Sequence, residues 1–487
     1  MKKAEITALV CVFSLTSALG QDNVKRIITE ALTPSPLAEN LERLTDQIGG
    51  RVPGTPAMQK AVEWGVEAFK AAGADTVHTE DFTIPTSWTE GVTQMSVVTP
   101  EKFKVRAISL AWAPALEVQH NVPVIDVGGG APEDFGKAGD ISGTILLVHS
   151  EEMKTWSDLF DEYLKAPGII DRAVGGKALA IAFQSTRPHD LLYRHTNSLA
   201  GEIDRIPMVL LAREDAGRMS RLMASGQKLY ADLAVPNYVG GPIQTTNVVA
   251  ELRGSEKPDE FVVLGAHLDS WELGTGALDN GCNAALVIDA LRAIKAAGER
   301  PRRSIRFILF SGEEQGLLGS HAYVAAHRSD LDKAAGVVVF DAGSGKVTGF
   351  SVGGRKDVLP TDAKLVRPLK QFDAYSLTTD MQWGTDHFDF MLEGVPTFVA
   401  NQREANYLIN YHASSDTFDK VDIDQLKKHV AEAAALVAGI ADYPGRLGPR
   451  LTHAQIEQTM VESHFVDLMK TFGMWEAWQQ RKLGRVD

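Results

Sequence analysis

Three apolar runs in the second half of the chain, Phe261–Ala266, Ile305–Ser311 and Gly336–Asp341, lack the polar alternation of a half-exposed strand. Near-continuous apolar strands are those buried on both faces. Helical patterns separate them: Ala284–Ala297, stopped by Gly298, and Gly316–Ala326. A further strand pattern, Pro396–Ala400, precedes a long helical one, Ile423–Ile440. This alternation, from Thr246 to about Tyr443, predicts an α/β fold: a mixed, mostly parallel sheet sandwiched by helices.

Ligands of such sheets collect at the carboxyl ends of the strands. His267 follows the first run, Glu313 and Glu314 follow the second in S-G-E-E-Q-G, and Asp341 closes the third. Asp279 in L-D-N-G and His412 in N-Y-H-A-S-S-D-T lie in loops that reach the same edge. One histidine and one carboxylate for each of two ions, with a shared carboxylate between them, suits a pair of zinc ions. A carboxylate left over beside a ligand suits a general base. Adjacent residues cannot aim at one point, so one of Glu313 and Glu314 ligates while the other faces the water. Asp269, two residues beyond His267 in an extended segment, is placed to hold the second ring nitrogen. Taken singly, each of these residues reads as a cap or a surface group; the common edge is what argues against that.

The rival motifs H-E-x-x-H and G-x-x-x-x-G-K-[ST] are absent. Gly343-Ser344-Gly345-Lys346 lacks the upstream glycine and reads as a turn after Asp341. The formal net charge of −14 excludes a broad nucleic-acid surface. At 487 residues, with 44% apolar and 23% charged, the chain is long enough for two or three globular domains.

Met1–Gly20 has Lys2 and Lys3, an apolar run Ile6–Leu15 and Ala18-Leu19-Gly20, the pattern of a cleaved secretory signal too short to span a membrane. The expectation is a secreted or periplasmic protein. Its cleavage leaves Cys282 alone, so no internal disulfide forms, and Cys282 reads as a small buried apolar residue. Ala57–Ala72 is a helix stopped by Gly73, and Val77–Thr86 and Met95–Leu110 are strands. From Val122 to Val235 short strands alternate with glycine-rich turns around one helix, Glu214–Ala224, which predicts a small β-rich inserted domain. The expected organisation is a signal peptide at 1–20, the N-terminal part of the main α/β domain at 21–115 and an insertion at 116–240. The catalytic domain follows at 241–445 and a helical tail at 446–487. Phe465, Phe472, Trp475 and Trp478 in the tail suit core packing or a homodimer interface.

The chain resembles the di-zinc exopeptidases that include the zinc aminopeptidases and glutamate carboxypeptidase, through H-x-D-S, the D-N-G turn, the E-E pair, the strand-end Asp and the Y-H step, in that order. H-L-D-S-W followed by G-x-G-A, and Gly49-Gly50-Arg51-Val52-Pro53-Gly54, look most like the carboxypeptidase Q branch. The insertion resembles a protease-associated domain. The resemblance implies His267 and Asp341 on one zinc, Glu314 and His412 on the other, Asp279 bridging, Glu313 as general base and Tyr411 beside the oxyanion. It implies attack on the peptide carbonyl by a hydroxide shared between the zincs, and often a cis peptide after Asp279. Asn280 stands where carboxypeptidase Q has Asp.

Asp386 and His387 resemble a segment lining the site in relatives, though a structural role for His387 fits as well. Asp416 either orients the His412 loop or caps a turn. The leading expectation is an aminopeptidase or dipeptidase acting on short peptides. The alternatives are a carboxypeptidase of the glutamate carboxypeptidase type, with Arg355 or Arg403 as its basic pocket, a deacylase of small amides, and a non-catalytic binding module on the same fold.

Overall fold

The computed structural model describes residues 22–487, so the expected leader Met1–Gly20 lies outside the described residues. The apolar runs form the middle of an eight-stranded mixed sheet. Its strands are β1 (Thr76–Ile84), β2 (Ile243–Leu252), β3 (Lys257–His267), β4 (Arg303–Phe310), β5 (Ala334–Val339), β6 (Val347–Ser351), β7 (Ser376–Thr378) and β8 (Thr397–Gln402), in the order β1-β2-β4-β3-β5-β8-β6-β7. The central strands β4, β3, β5 and β8 run parallel; β1 with β2, β2 with β4, and β6 with β8 pair antiparallel, and the edge strand β7 lies parallel to β6.

Alternate residues of β3 serve two cores. Val262, Leu264 and Ala266 pack with helices α1 (Pro56–Ala72), α3 (Cys282–Ala296) and α5 (Ile423–Asp442). Phe261 and Val263 pack with Tyr323 and Val324 of helix α4 (Leu318–His327) on the other face. The helix limits follow the local chemistry. Thr55 caps α1, its hydroxyl accepting from the Met58 N–H at 3.3 Å, and Gly73 ends it at φ 93°. Cys282 is fully buried, as its apolar reading requires.

A second eight-stranded sheet draws on residues 94–235. It takes in Gln94–Thr99, Phe103–Val105 and Ala107–Ser109, so it begins ahead of the expected 116, and Leu116–Asp126, Ile145–Val148, Ala180–Gln184 and Met208–Leu211 form a parallel set within it. The unit is richer in helix than expected, because Trp156–Gly175 forms the 20-residue helix α2 straight through Pro167. Thr155 and Asp158 make a reciprocal capping box at its start. The chain enters and leaves the unit through a ribbon that pairs Trp88–Thr89 with Tyr238–Val239.

The aromatic tail folds onto its own chain. Trp478 is fully buried and stacks on His453 with ring centroids 4.0 Å apart, and Phe465 packs with Phe388. Among the described residues no helix is long and apolar enough to cross a membrane.

Helix α5 carries a local conflict at Glu432. Glu432 is fully buried and neither carboxyl oxygen has a hydrogen-bond partner. Burial pushes its carboxyl up to about 9, against the opposing pull of Lys428 and Lys346. An acid whose pKa is raised by folding stabilises the fold only while protonated, so stability drains as pH climbs from 4.5 toward about 9. Glu432→Gln has no such proton to lose. Across that window its urea-unfolding free energy is expected to gain on the wild type by on the order of 1 kcal/mol per pH unit. Parallel pH profiles for the two proteins would show that Glu432 ionises without cost.

Candidate active site

The carboxyl ends of β3, β4 and β5 open into a cavity of about 340 Å³. His267, the last residue of β3, is 1% exposed. Its Nε2 lies 3.1 Å from Asp279 Oδ1 and 3.0 Å from Asp341 Oδ1. His412 Nε2 lies 2.8 Å from Glu314 Oε2 and 3.2 Å from Asp279 Oδ2. Asp279 thus sits between the two histidines and offers one oxygen to each side. The result is two overlapping triads, His267–Asp279–Asp341 and Asp279–Glu314–His412. These are the five candidate ligands expected from the strand ends, and Glu313 and Tyr411 line the same cavity.

Asp269 plays a different part from the one expected. The His267 ring presents Nδ1 to the backbone oxygen of Asp269 at 3.0 Å, with the carboxylate farther off at 3.6 Å. That tautomer, with Nδ1–H donating to a carbonyl, leaves the Nε2 lone pair free. The Asp269 carboxylate accepts the backbone N–H groups of Glu313 (3.2 Å) and Glu314 (3.3 Å), orienting the E-E turn.

The Asp279 loop is held from beneath. Asp416, 3% exposed, accepts the N–H groups of Ala277, Leu278 and Asp279 at 3.1, 2.7 and 3.1 Å. Arg51, fully buried, donates to the carbonyls of Gly49, Leu268, Thr275 and Gly276 at 2.7–2.9 Å. Gly276 itself is at φ 60° and a Cβ there would meet Ser270 Oγ at 2.3 Å. Asn280 donates to the Phe340 carbonyl at 3.1 Å, tying the turn to the residue before Asp341. The Asp279–Asn280 peptide is cis.

The electrostatics of this assembly call for cations. Burial pushes the Glu313 carboxyl well above the usual range, with Asp341 and Glu314 adding to the effect, and raises Glu314 to about 7. Burial pulls the other way on His412, but Glu314 and Asp279 outweigh it and lift the imidazole to about 9. Asp279 Oδ2 and Glu314 Oε1 are buried without a hydrogen-bond partner. A mixed imidazole and carboxylate donor set with orphaned oxygens fits divalent metal ions of the zinc type.

Other sequence candidates fall elsewhere. Asp386 and His387 are buried but do not line the cavity, and burial drives His387 down to about 3. Arg355 is spent on Asp357 and the carbonyls of Gly394 and Pro449, and Arg403 is exposed outside the cavity. The sequence had not pointed to Trp156, Leu159, Phe160 and Tyr163 of α2, which wall the cavity from the second unit, nor to Trp383.

Residues 247–437 match the model of peptidase family M28. The chain is 27% identical to Carboxypeptidase Q of Mus musculus over 409 residues, covering 83% of this chain and 85% of that one. Its fold is similar to the structure of the peptidase M28 precursor from Shewanella amazonensis SB2B, with TM-score 0.80, 25% identity, and coverage of 89% of this chain and 99% of that chain. It is similar in fold also to BSAP, a zinc aminopeptidase from Bacillus subtilis, with TM-score 0.64, 21% identity, and coverage of 82% and 93%.

Replacing Asp416 by Ala strips three backbone N–H groups of their acceptor and frees the loop that places Asp279. Zinc affinity by calorimetry is expected to fall about 10–100-fold, with a lowered Tm. Unchanged affinity would mean that the loop holds its shape without the carboxylate.

Proposed function

We propose, for a chain whose 247–437 segment belongs to peptidase family M28 and which is accordingly a metallopeptidase, an exopeptidase that uses two zinc ions to remove residues from the free amino end of short peptides, as an aminopeptidase or dipeptidase. The observation that carries this reading is the pair of triads sharing Asp279. There His267 and Asp341 would hold one ion and Glu314 and His412 the other, with Asp279 contributing to both. When bound, such ions supply Lewis acidity to water and to the scissile carbonyl.

The chain's own residues do the rest. Glu313, in the cavity but outside both triads, takes the proton of the attacking water and returns it to the leaving amine. Burial holds the Glu313 carboxyl above its ordinary range, which suits a group that takes a proton and gives it back. The Tyr411 hydroxyl donates to the carbonyl oxygen as negative charge builds there. Asp269 keeps Glu313 and Glu314 in register through their backbone N–H groups.

The walls support a substrate class. Trp156, Leu159, Phe160 and Trp383 offer an apolar and aromatic surface, and among the described residues no Lys or Arg lines the cavity. That favours an apolar side chain at the cleaved end and gives no lysine or arginine to meet a terminal or side-chain carboxylate. The name of the mouse relative favours the carboxypeptidase alternative, which must then rely on the neutral amides of Gln382, Asn401 and Gln402. The leader pattern at Met1–Gly20 and the single cysteine beyond it support export. The unit formed from residues 94–235 is proposed as the protease-associated domain of the relatives.

Leucyl-alanine is expected to be cleaved, its N-acetyl derivative not, with activity lost to a chelator and restored by zinc. Cleavage of the acetylated dipeptide that depends on a free carboxylate would establish the carboxypeptidase alternative instead. Glu313→Gln is expected to retain two zinc equivalents by elemental analysis while kcat falls about 10²–10⁴-fold. Near-normal turnover in that variant would remove Glu313 from the mechanism.

A further inference from the structure

The strap that carries Tyr411 and His412 is held by the second unit. Tyr193 and Ala413 form an antiparallel β-bridge. The Arg194 N–H donates to the His412 carbonyl at 2.9 Å, and the Ser414 N–H to the Leu192 carbonyl at 3.2 Å. Arg187, 1% exposed, donates through Nη2 to the Tyr411 carbonyl at 3.0 Å. His412 sits at φ 58°, outside the range a histidine prefers, so the strap depends on these outside contacts to keep its shape.

Beside this clamp the second unit also meets Tyr411 through a side-chain hydroxyl. The Tyr163 hydroxyl of α2 lies 2.9 Å from the Tyr411 hydroxyl, and both line the cavity. The Tyr163 ring has little freedom, packed against His195 at 5.3 Å and edge-on to Trp383 at 6.2 Å between centroids. Tyr411 is stacked on His412 at 3.6 Å. A phenol has one proton to give and oxygen lone pairs to receive with. If Tyr163 donates, Tyr411 accepts through its oxygen and its own proton is free for the substrate carbonyl. The donated bond also polarises the Tyr411 O–H, which strengthens the bond it makes in turn.

We propose that Tyr163, supplied by the second unit, is a positioning residue for the peptidase reaction, donating to the Tyr411 hydroxyl and aiming its proton at the developing oxyanion. This rests on the oxyanion role assigned to Tyr411 above. It makes residues 94–235 part of the catalytic apparatus in addition to a wall of the cavity.

The test is a double-mutant cycle in the full-length, zinc-loaded enzyme, with leucyl-alanine as substrate and Tyr163→Phe and Tyr411→Phe as the two changes. Both keep the ring and remove the hydroxyl alone. Tyr411→Phe is expected to lower kcat about 100-fold. Tyr163→Phe is expected to lower kcat about tenfold, the worth of one well-placed hydrogen bond, with KM within about twofold and Tm unchanged. In the Tyr411→Phe background the second change should cost nothing further. Wild-type kcat in Tyr163→Phe, or the same loss in both backgrounds, would overturn the proposal, because a structural role acts whether or not Tyr411 has a hydroxyl. Full activity in Tyr411→Phe would overturn the oxyanion role itself, and with it the proposal, while leaving the zinc and Glu313 assignments to their own tests.

Discussion

Asp269, Asp279, Glu314 and Asp416 lie in one buried region together with the Arg51 guanidinium, and the electrostatic strain of that arrangement organises the architecture around it. Carboxylates removed from water must be neutralised, paired or given hydrogen bonds. Each means is used here. Asp416 is satisfied by three backbone N–H groups and Asp269 by two. Arg51 is pulled down to about 10 by burial, against the raising influence of these carboxylates, and remains a cation at neutral pH. Asp279 and Glu314 keep oxygens without partners. These are the groups a divalent ion satisfies, so the region is built to be completed by metal.

The support is layered. Parallel strands bring His267, the E-E turn and Asp341 to one edge because β4 and β5 flank β3. That placement alone does not aim the side chains. Aim comes from the loops: the Asp279 turn hung between Asp416 and Asn280, and the Tyr411–His412 strap pinned by residues 187–194. Secondary structure delivers the ligands to within reach, and hydrogen bonds between distant segments set the final geometry.

This division explains what could be read from the sequence. The parallel core and the gathering of the candidate ligands at one edge were legible because strands buried on both faces are written as unbroken apolar runs, and the candidate residues sit at their ends. The stops at Gly73 and Gly298 were legible because left-handed positions favour glycine. Helix α2 was hidden by Pro167 and Gly168, which read as breakers although the Thr155–Asp158 capping box marks its start. The second sheet was expected too late in the chain because Gln94–Ser109 reads as strand without saying to which sheet it belongs. Asp269 was expected to act on its neighbour His267, whereas its carboxylate serves residues 44 and 45 positions away. Tyr163 and Tyr411 are separated by 248 positions, and no local pattern announces such a pair.

The ribbon of Trp88–Thr89 with Tyr238–Val239 fastens the second unit at its root, and the bridge of Tyr193 with Ala413 fastens it again over the cavity. The second unit is thus joined to the rest of the chain at two separated places. The consequence concerns portability. The 247–437 segment contains every proposed metal ligand, yet Arg51, Tyr163 and Arg187 fall outside it. Grafted alone onto another protein, that segment would take the ligands with it and leave behind the groups that point them.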